Sequence, residues 1–460
     1  MDRSSSQVQY ERMTGTPIPK LVGSLAVPTI ISMLITGIYN LADTYFVSCL
    51  KSDSATAAVG VVFSLMALIQ AVGFTLGMGS GSLVSRLLGQ QRKEDAEEIL
   101  ASGFAAALVF GLGVTTLGLS LMDPLMRLLG STETVLPYAR SYAQYIVLGA
   151  PVMAGAFVLN NCLRAEGHAV LSMAGLTTGG VLNMVLDPVF IFGFHMEVAG
   201  AAIATVISQC VSFCILLSCY LTRRSVLRLS AARIARRPGP YGQILTTGMP
   251  SFFRQGLASV ATVALNRAAA VYGDAAMAAM TVVTKVTMLS GSALIGFGQG
   301  YQPVAGYNYG AKRYDRVREA FSFTTRTGTL VAAALGAVVF VAAGPLIGLF
   351  SSGESSEMQA IGTAAMRAQC LGLLFQPIGM FSNMTFQTVG RAREATFLSC
   401  CRQGICFFPL IWLLPMVFKL TGVEITQAVS DILTALICVP FLLRFFRELR
   451  GLEAAEGSRV

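Results

Sequence analysis

Charge is what this chain has least of: only 12% of its 460 residues are Asp, Glu, Lys or Arg. A soluble domain carries about 25%, so a string of soluble domains, which the length alone would permit, is excluded. Histidine is nearly absent, with only His168 and His195, and no His-built metal or catalytic centre can be assembled from two residues so far apart. The first segment, Met1–Lys20, is polar and lacks the short apolar core and small-residue cleavage site of a signal peptide. The first apolar run is therefore expected to stay in the mature protein. There is no H-E-x-x-H, no G-x-S-x-G on an apolar run and no aspartyl-protease-like acid pair, which leaves a membrane-embedded enzyme without support. None of the ten cysteines forms a C-x-x-C pair, and they read as small, reduced, apolar-facing residues.

What is present is apolar sequence in long runs. Hydrophobic residues make up 54% of the chain, and its mean hydropathy is +0.65. Crossing a bilayer takes about 20 apolar residues. Such runs lie at Leu21–Ser48, Ala57–Ser82, Ile99–Leu121, Tyr138–Asn160, Ala169–Gly193, Val198–Leu221, Ile244–Tyr272, Ala276–Gly300, Ala320–Phe350, Ile361–Thr388, Ala395–Val417 and Ile425–Phe446. The expected fold is an all-α integral membrane protein of twelve transmembrane helices. Forty-six glycines suit helices that approach closely in lipid.

The net charge of +9 is not spread evenly. Arg223, Arg224, Arg228, Arg233, Arg236 and Arg237 crowd the central loop, while Lys312, Arg313, Arg316 and Arg318 follow the eighth run, and Arg86, Arg92 and Lys93 follow the second. The opposite loops hold little beyond Lys51, Arg127 and Lys419. This bias predicts an inner-membrane protein with both termini in the cytoplasm. The basic residues flank spans and form no patch on a soluble domain, so nucleic acid is not an expected partner. The partner is the lipid bilayer.

The sequence repeats itself. Gly77-Met78-Gly79-Ser80-Gly81 matches Gly296-Phe297-Gly298-Gln299-Gly300, and Arg92-Lys93-Glu94 matches Arg313-Tyr314-Asp315 at nearly the same offset. Arg164-Ala165-Glu166-Gly167 answers Gln387-Thr388-Val389-Gly390. Each half holds six spans, an even number, which makes a parallel repeat related by an axis along the membrane normal. The expected organisation is a cytoplasmic segment at 1–20, an N-terminal lobe at 21–221, an Arg-rich linker at 222–243, a C-terminal lobe at 244–446 and a cytoplasmic tail at 447–460. Two such lobes rocking around a cavity suit a transporter.

Acids inside spans are expensive and mark function by default. Asp43 in the first span and Asp187 in the fifth fall at similar depth, with Asn40 and Asn183 one turn below them. Thr205 in the sixth span and Tyr142 in the fourth reach the same layer. The oxygens suit either a proton shared by the carboxylates or Na⁺ among carboxylate, amide and hydroxyl ligands. No carboxylate is expected in the middle of a C-terminal span. That half instead carries Arg254, Arg267 and Lys285 and the amides Asn266, Gln376, Asn383 and Gln387. Met33, Met153, Phe157, Met184, Met288 and Met384 also lie on spans. Adaptable Met and aromatic side chains, together with Gln376, Asn383 and Gln387, are candidate walls for a promiscuous pocket.

Taken in order, Pro28, Asn40-x-x-Asp43-Thr44, Leu182-Asn183-x-x-Leu186-Asp187-Pro188, Gly200-Ala201-Ala202-x-Ala204-Thr205 and Gly298-Gln299-Gly300-Tyr301-Gln302-Pro303 resemble the multidrug and toxic compound extrusion (MATE) family over about residues 17–447. The resemblance implies two six-helix lobes around a central cavity. It also implies efflux of small organic cations or drugs in exchange for H⁺ or Na⁺, with no cofactor, by a single chain. It assigns the cation site to Asp43, Asn183, Asp187 and Thr205. The chain resembles the bacterial members whose acids are confined to the N-terminal lobe. The alternative reading, a flippase for lipid-linked precursors in the same wider superfamily, would call for a strongly cationic cavity, and Arg254, Arg267 and Lys285 keep it open.

Overall fold

The computed structural model describes residues 5–48, 53–348 and 356–457. Within them the chain is helical nearly throughout, because a backbone crossing hydrocarbon must satisfy its own hydrogen bonds. A short helix, α1 (Ser5–Gly15), precedes the first half. That half comprises α2 (Ile18–Ser48), α3 (Asp53–Gly89), α4 (Lys93–Ser120), the short α5 (Met122–Leu128), α6 (Leu136–Ala165), α7 (Ala169–Pro188) and α8 (Glu197–Leu221). The second half comprises α9 (Pro238–Ala270), α10 (Asp274–Gly310), α11 (Tyr314–Gly348), α12 (Ser356–Leu373), α13 (Gln376–Thr388), α14 (Ala392–Cys400), α15 (Phe407–Phe418) and α16 (Leu420–Gly457).

Ten helical segments among the described residues are long and apolar enough to cross a membrane. Each of the twelve sequence-derived runs falls on helix, but the seventh and tenth differ from the other ten. The seventh, α9, carries Arg254, Gln255, Asn266 and Arg267. The tenth is not one helix. It breaks after Leu373 and restarts as α13 with Pro377 at its first turn, a position where a missing N–H costs nothing. The end of the ninth run at Phe350 and the loop residue Gly353, expected to face the periplasm, lie outside the described residues.

The two halves repeat one joint. Asn160 Nδ2 donates to the Ser172 carbonyl, and Asn383 Nδ2 to the Ala395 carbonyl, each twelve residues on. The halves also interlock: α2 packs on α10, and α3 on α9 and α10. Glycines set the closeness of that contact. A Cβ on Gly79 would collide with the Ile244 carbonyl, and one on Gly248 with the Thr75 carbonyl. At the end that carries the linker, Gly89 and Gly310 abut the carbonyls of Tyr307 and Arg86 in the same way. The α1 helix straps this end, since Gln9 Nε2 donates to the Glu166 carbonyl at 2.7 Å and Asn308 Nδ2 to the Met13 carbonyl at 3.2 Å.

The Arg-rich linker is docked rather than loose. Glu166, just past α6, is fully buried, and its Oε2 accepts from Ser225 Oγ at 2.6 Å and from the Val226 amide at 2.8 Å. The acids that open α4 meet the linker's arginines: Arg233 pairs with Glu94 and Glu97, and Arg237 with Glu98.

Candidate functional site

Four helices of the first half converge on one polar layer. Asn183 Nδ2 donates to Asp187 Oδ1 at 3.2 Å, one turn along α7, and to Thr205 Oγ1 on α8 at 3.3 Å. Asp43 on α2 lies within electrostatic reach of Asp187, and Tyr142 on α6 is within reach of both acids. Asp187 and Tyr142 are completely buried, and Asn183 and Thr205 nearly so. Local sequence builds this arrangement. Gly180 lets α7 approach α2, since a Cβ there would lie 2.9 Å from Ile35 Cγ2 and 3.2 Å from Tyr39 Cδ1. Pro188, which lacks an amide donor, closes α7 directly after Asp187. A single π-helical turn follows at Val189–Gly193, a distortion frequent at functional sites.

The layer has acceptors to spare. Asp43 Oδ1, Asn183 Oδ1 and Asp187 Oδ2 are buried and without a hydrogen-bond partner. Buried polar atoms are nearly always paired, so three orphaned oxygens on neighbouring side chains form a set of ligands awaiting a proton or a cation. The oxygens are hard donors and fit Na⁺ in kind.

Next to this layer lies a cavity of about 840 Å³, counted to its open mouth. Met33, Asn40, Met153, Phe157, Asn183 and Thr205 all stand on its wall, so the cavity and the acidic layer share Asn183 and Thr205. Arg164 and Gln299 also line it. Arg164 Nη1 donates to Gln299 Oε1 at 2.9 Å, and the guanidinium also bonds Asn161, tying α6 to α10 across the two halves. Sequence matching registered Arg164 only as part of a repeat. The missed signal was a charged residue ending an apolar run.

The other candidate wall residues stand elsewhere. Met184 is half-buried on α7 and off the cavity, and Met288 is 54% exposed on α10. Met384 is fully buried against Gly298. The amides are spent on joining helices. Asn383 bonds Ala395 and Ser399, Gln387 donates to the Thr247 carbonyl at 3.0 Å and to Ser251 Oγ at 2.9 Å, and Gln376 faces the Arg402 guanidinium. A buried amide needs partners, and in a tightly packed half the nearest ones are on the next helix.

The expectation that no carboxylate sits inside a C-terminal span is corrected. Asp431 on α16 is 5% exposed, and it accepts from Arg402 Nε at 2.7 Å. Glu424 on the same helix is 6% exposed. Asp431 falls within the twelfth apolar run and Arg402 within the eleventh, so both were legible as intramembrane charges. Their pairing across 29 residues was not.

Comparison with known proteins agrees with the fold. The MatE family model matches residues 28–189 and 250–413, once in each half. The multidrug export protein MepA of Staphylococcus saprophyticus is 25% identical over 434 residues, covering 94% of this chain and 95% of that one. MepA of Staphylococcus aureus strain MRSA252 is 24% identical over 444 residues, 96% and 98% of the two chains. A solved multidrug resistance MATE family transporter of the MOP superfamily, in an outward-facing conformation, superposes with a TM-score of 0.92. It shares 26% identity and is covered completely by 98% of this chain. The chain belongs to the MATE family and is a multi-pass membrane transporter rather than an enzyme.

Proposed function

We propose that the protein is a secondary active antiporter of the inner membrane that exports organic cations or drugs in exchange for H⁺ or Na⁺. The observation that carries this reading is the trio of orphaned oxygens on Asp43, Asn183 and Asp187 beside the cavity. A buried carboxylate without donors is unfavourable in a low-dielectric interior, and a proton or Na⁺ relieves it. An organic cation in the adjoining cavity draws on the same negative charge, so ion and substrate compete. Such competition drives transport only if the ion binds the two states of the carrier with different affinity.

The closed linker end and the likeness to a transporter caught outward-facing support the same assignment for this conformation, with the linker end and both termini cytoplasmic. The relatives named for multidrug export support drugs as the cargo. Met33, Met153 and Phe157 supply an adaptable apolar wall.

The test is dye export from proteoliposomes under an imposed Na⁺ gradient, and separately an imposed pH gradient. One gradient should drive export in the wild type and fail to do so in Asp43→Asn and Asp187→Asn. Export that ignores both gradients, or that both variants retain, overturns the reading.

A further inference from the structure

A second buried polar cluster, in the C-terminal half, takes no part in the cycle above. Arg402 stands in the π-helical turn Cys401–Ile405 between α14 and α15. Its Nε donates to Asp431 Oδ1 at 2.7 Å, and Gln427 Nε2 donates to the same oxygen at 3.2 Å. Gln376, its amide turned oxygen-first, accepts from Arg402 Nη1 at 3.2 Å. Two residues beyond Arg402, Gly404 packs on α9, where a Cβ would lie 3.1 Å from Leu257 Cδ1. Arg254 is one turn before Leu257 and within electrostatic reach of Arg402.

The charges in this cluster do not balance. Arg402 is paired with Asp431, while Arg254 Nη1 is buried with no acceptor among the described residues. Glu424 is two helical turns from Asp431, roughly 10 Å by helix rise, and Arg402 already occupies Asp431. A lone guanidinium inside a membrane-spanning core is unfavourable unless an anion meets it. The shortfall is a single negative charge. A planar guanidinium fork matches a planar carboxylate in shape and in number of bonds.

We propose that Arg254 and Arg402 form an anion site that binds the carboxylate of a small organic acid or zwitterion, separate from the acids of the N-terminal half. Arg254 supplies the open fork. Asp431 and Gln376 hold Arg402 in place beside it.

The test uses the full-length protein in nanodiscs and two probes, a rhodamine dye with a free carboxylate and the methyl ester of the same dye. Binding is read by fluorescence anisotropy. Arg254→Gln should weaken the acid by about tenfold, the worth of one charge-assisted hydrogen bond, and leave the ester essentially unchanged. Ester binding reports the main cavity, so a wild type that fails to bind the ester counts against the antiporter reading and not against this site. Arg254→Gln removes a guanidinium with an unpaired donor and should fold. Should it not, Arg254→Lys keeps the charge without the fork and decides instead by a reduced preference for acid over ester. An unchanged acid-to-ester ratio in the folded variant overturns the proposal.

Discussion

The two halves use the same joint and differ in the charges they bury. Asn160 and Asn383 make the same bond in each half. In the first half, Asp43, Asn183 and Asp187 have buried oxygens without donors; in the second, Arg254 has a donor without an acceptor, beside unpartnered oxygens on Asn266, Asn383 and Gln403. A π-helical turn interrupts the corresponding helix in both halves, directly after Asp187-Pro188 in one and at Arg402 in the other. The joint is shared between the halves, but the bend is not: the π turn begins 17 residues after Ser172 in one half and 6 after Ala395 in the other.

The sharpest break in this comparison comes from the acids. Asp43→Asn and Asp187→Asn should each abolish gradient-coupled export of every substrate while leaving membrane insertion intact, because the cost of holding the charge disappears with it. Export assays over a panel of cationic dyes check this. Variants that lose only some dyes and keep coupling for the rest would mean that the acids are cavity wall and not ion site.

In the second half the acid should behave as a structural partner. Asp431→Ala leaves the half-buried Arg402 beside Gln376 without a counter-charge, and should cost about 2–3 kcal/mol of stability. The double variant Arg402→Met with Asp431→Leu removes both charges and should recover most of that loss. Thermal unfolding in detergent measures both. A single variant as stable as the wild type would show that the pair contributes nothing and that the asymmetry between the halves is smaller than drawn.

Much of this contrast was legible in the sequence, and what was not follows a pattern. Asp43, Asn183 and Asp187 could be placed because their spacing is local to α2 and α7, and helical periodicity carries one turn reliably. Met33, Met153 and Phe157 reach one cavity, and Met184 and Met288 do not, because the face a helix turns inward depends on its neighbours. Asn383 and Gln387 read as cavity polar groups, yet they are consumed by Ser399 and by Thr247 and Ser251. The break before α13 and the Arg402–Asp431 pair arise from Pro377 and from packing between distant segments, neither of which periodicity encodes.

A finer test separates cavity wall from helix joint. Met153→Ala and Phe157→Ala should reorder dye preference by about 1–3 kcal/mol, the range over which an apolar pocket discriminates, with little effect on ion dependence. Gln387→Ala should instead cost about 1 kcal/mol of stability through its two lost bonds to α9 and leave the order of preference alone. Competition binding and unfolding, measured on the same preparations, give both quantities. A Gln387 variant that reorders the dyes would place that residue on the transport path.

A last effect lies outside the spans, at the buried carboxyl that docks the linker. Burial pushes the Glu166 carboxyl up to about 7, against the pull of its bonds from Ser225, Val226 and Leu227. Because the folded value is raised above the ordinary one of 4.5, the folded chain holds its proton over a window where the unfolded chain has lost it. Stability from this group is therefore fully present below pH 4.5, falls as pH rises, and is gone above about pH 7. Glu166→Gln cannot titrate. The stability difference between wild type and Glu166→Gln should thus move by about 2–3 kcal/mol in favour of the variant between pH 5 and pH 8. Unfolding curves for both proteins across that range measure it. A difference that stays flat would mean that the linker's donors hold the carboxylate charged throughout, and that the Ser225–Leu227 segment stays docked by charge at every pH. A shift of the stated sign would make the linker's attachment tightest on the acid side, at the end of the molecule where the two halves meet through Gly89 and Gly310.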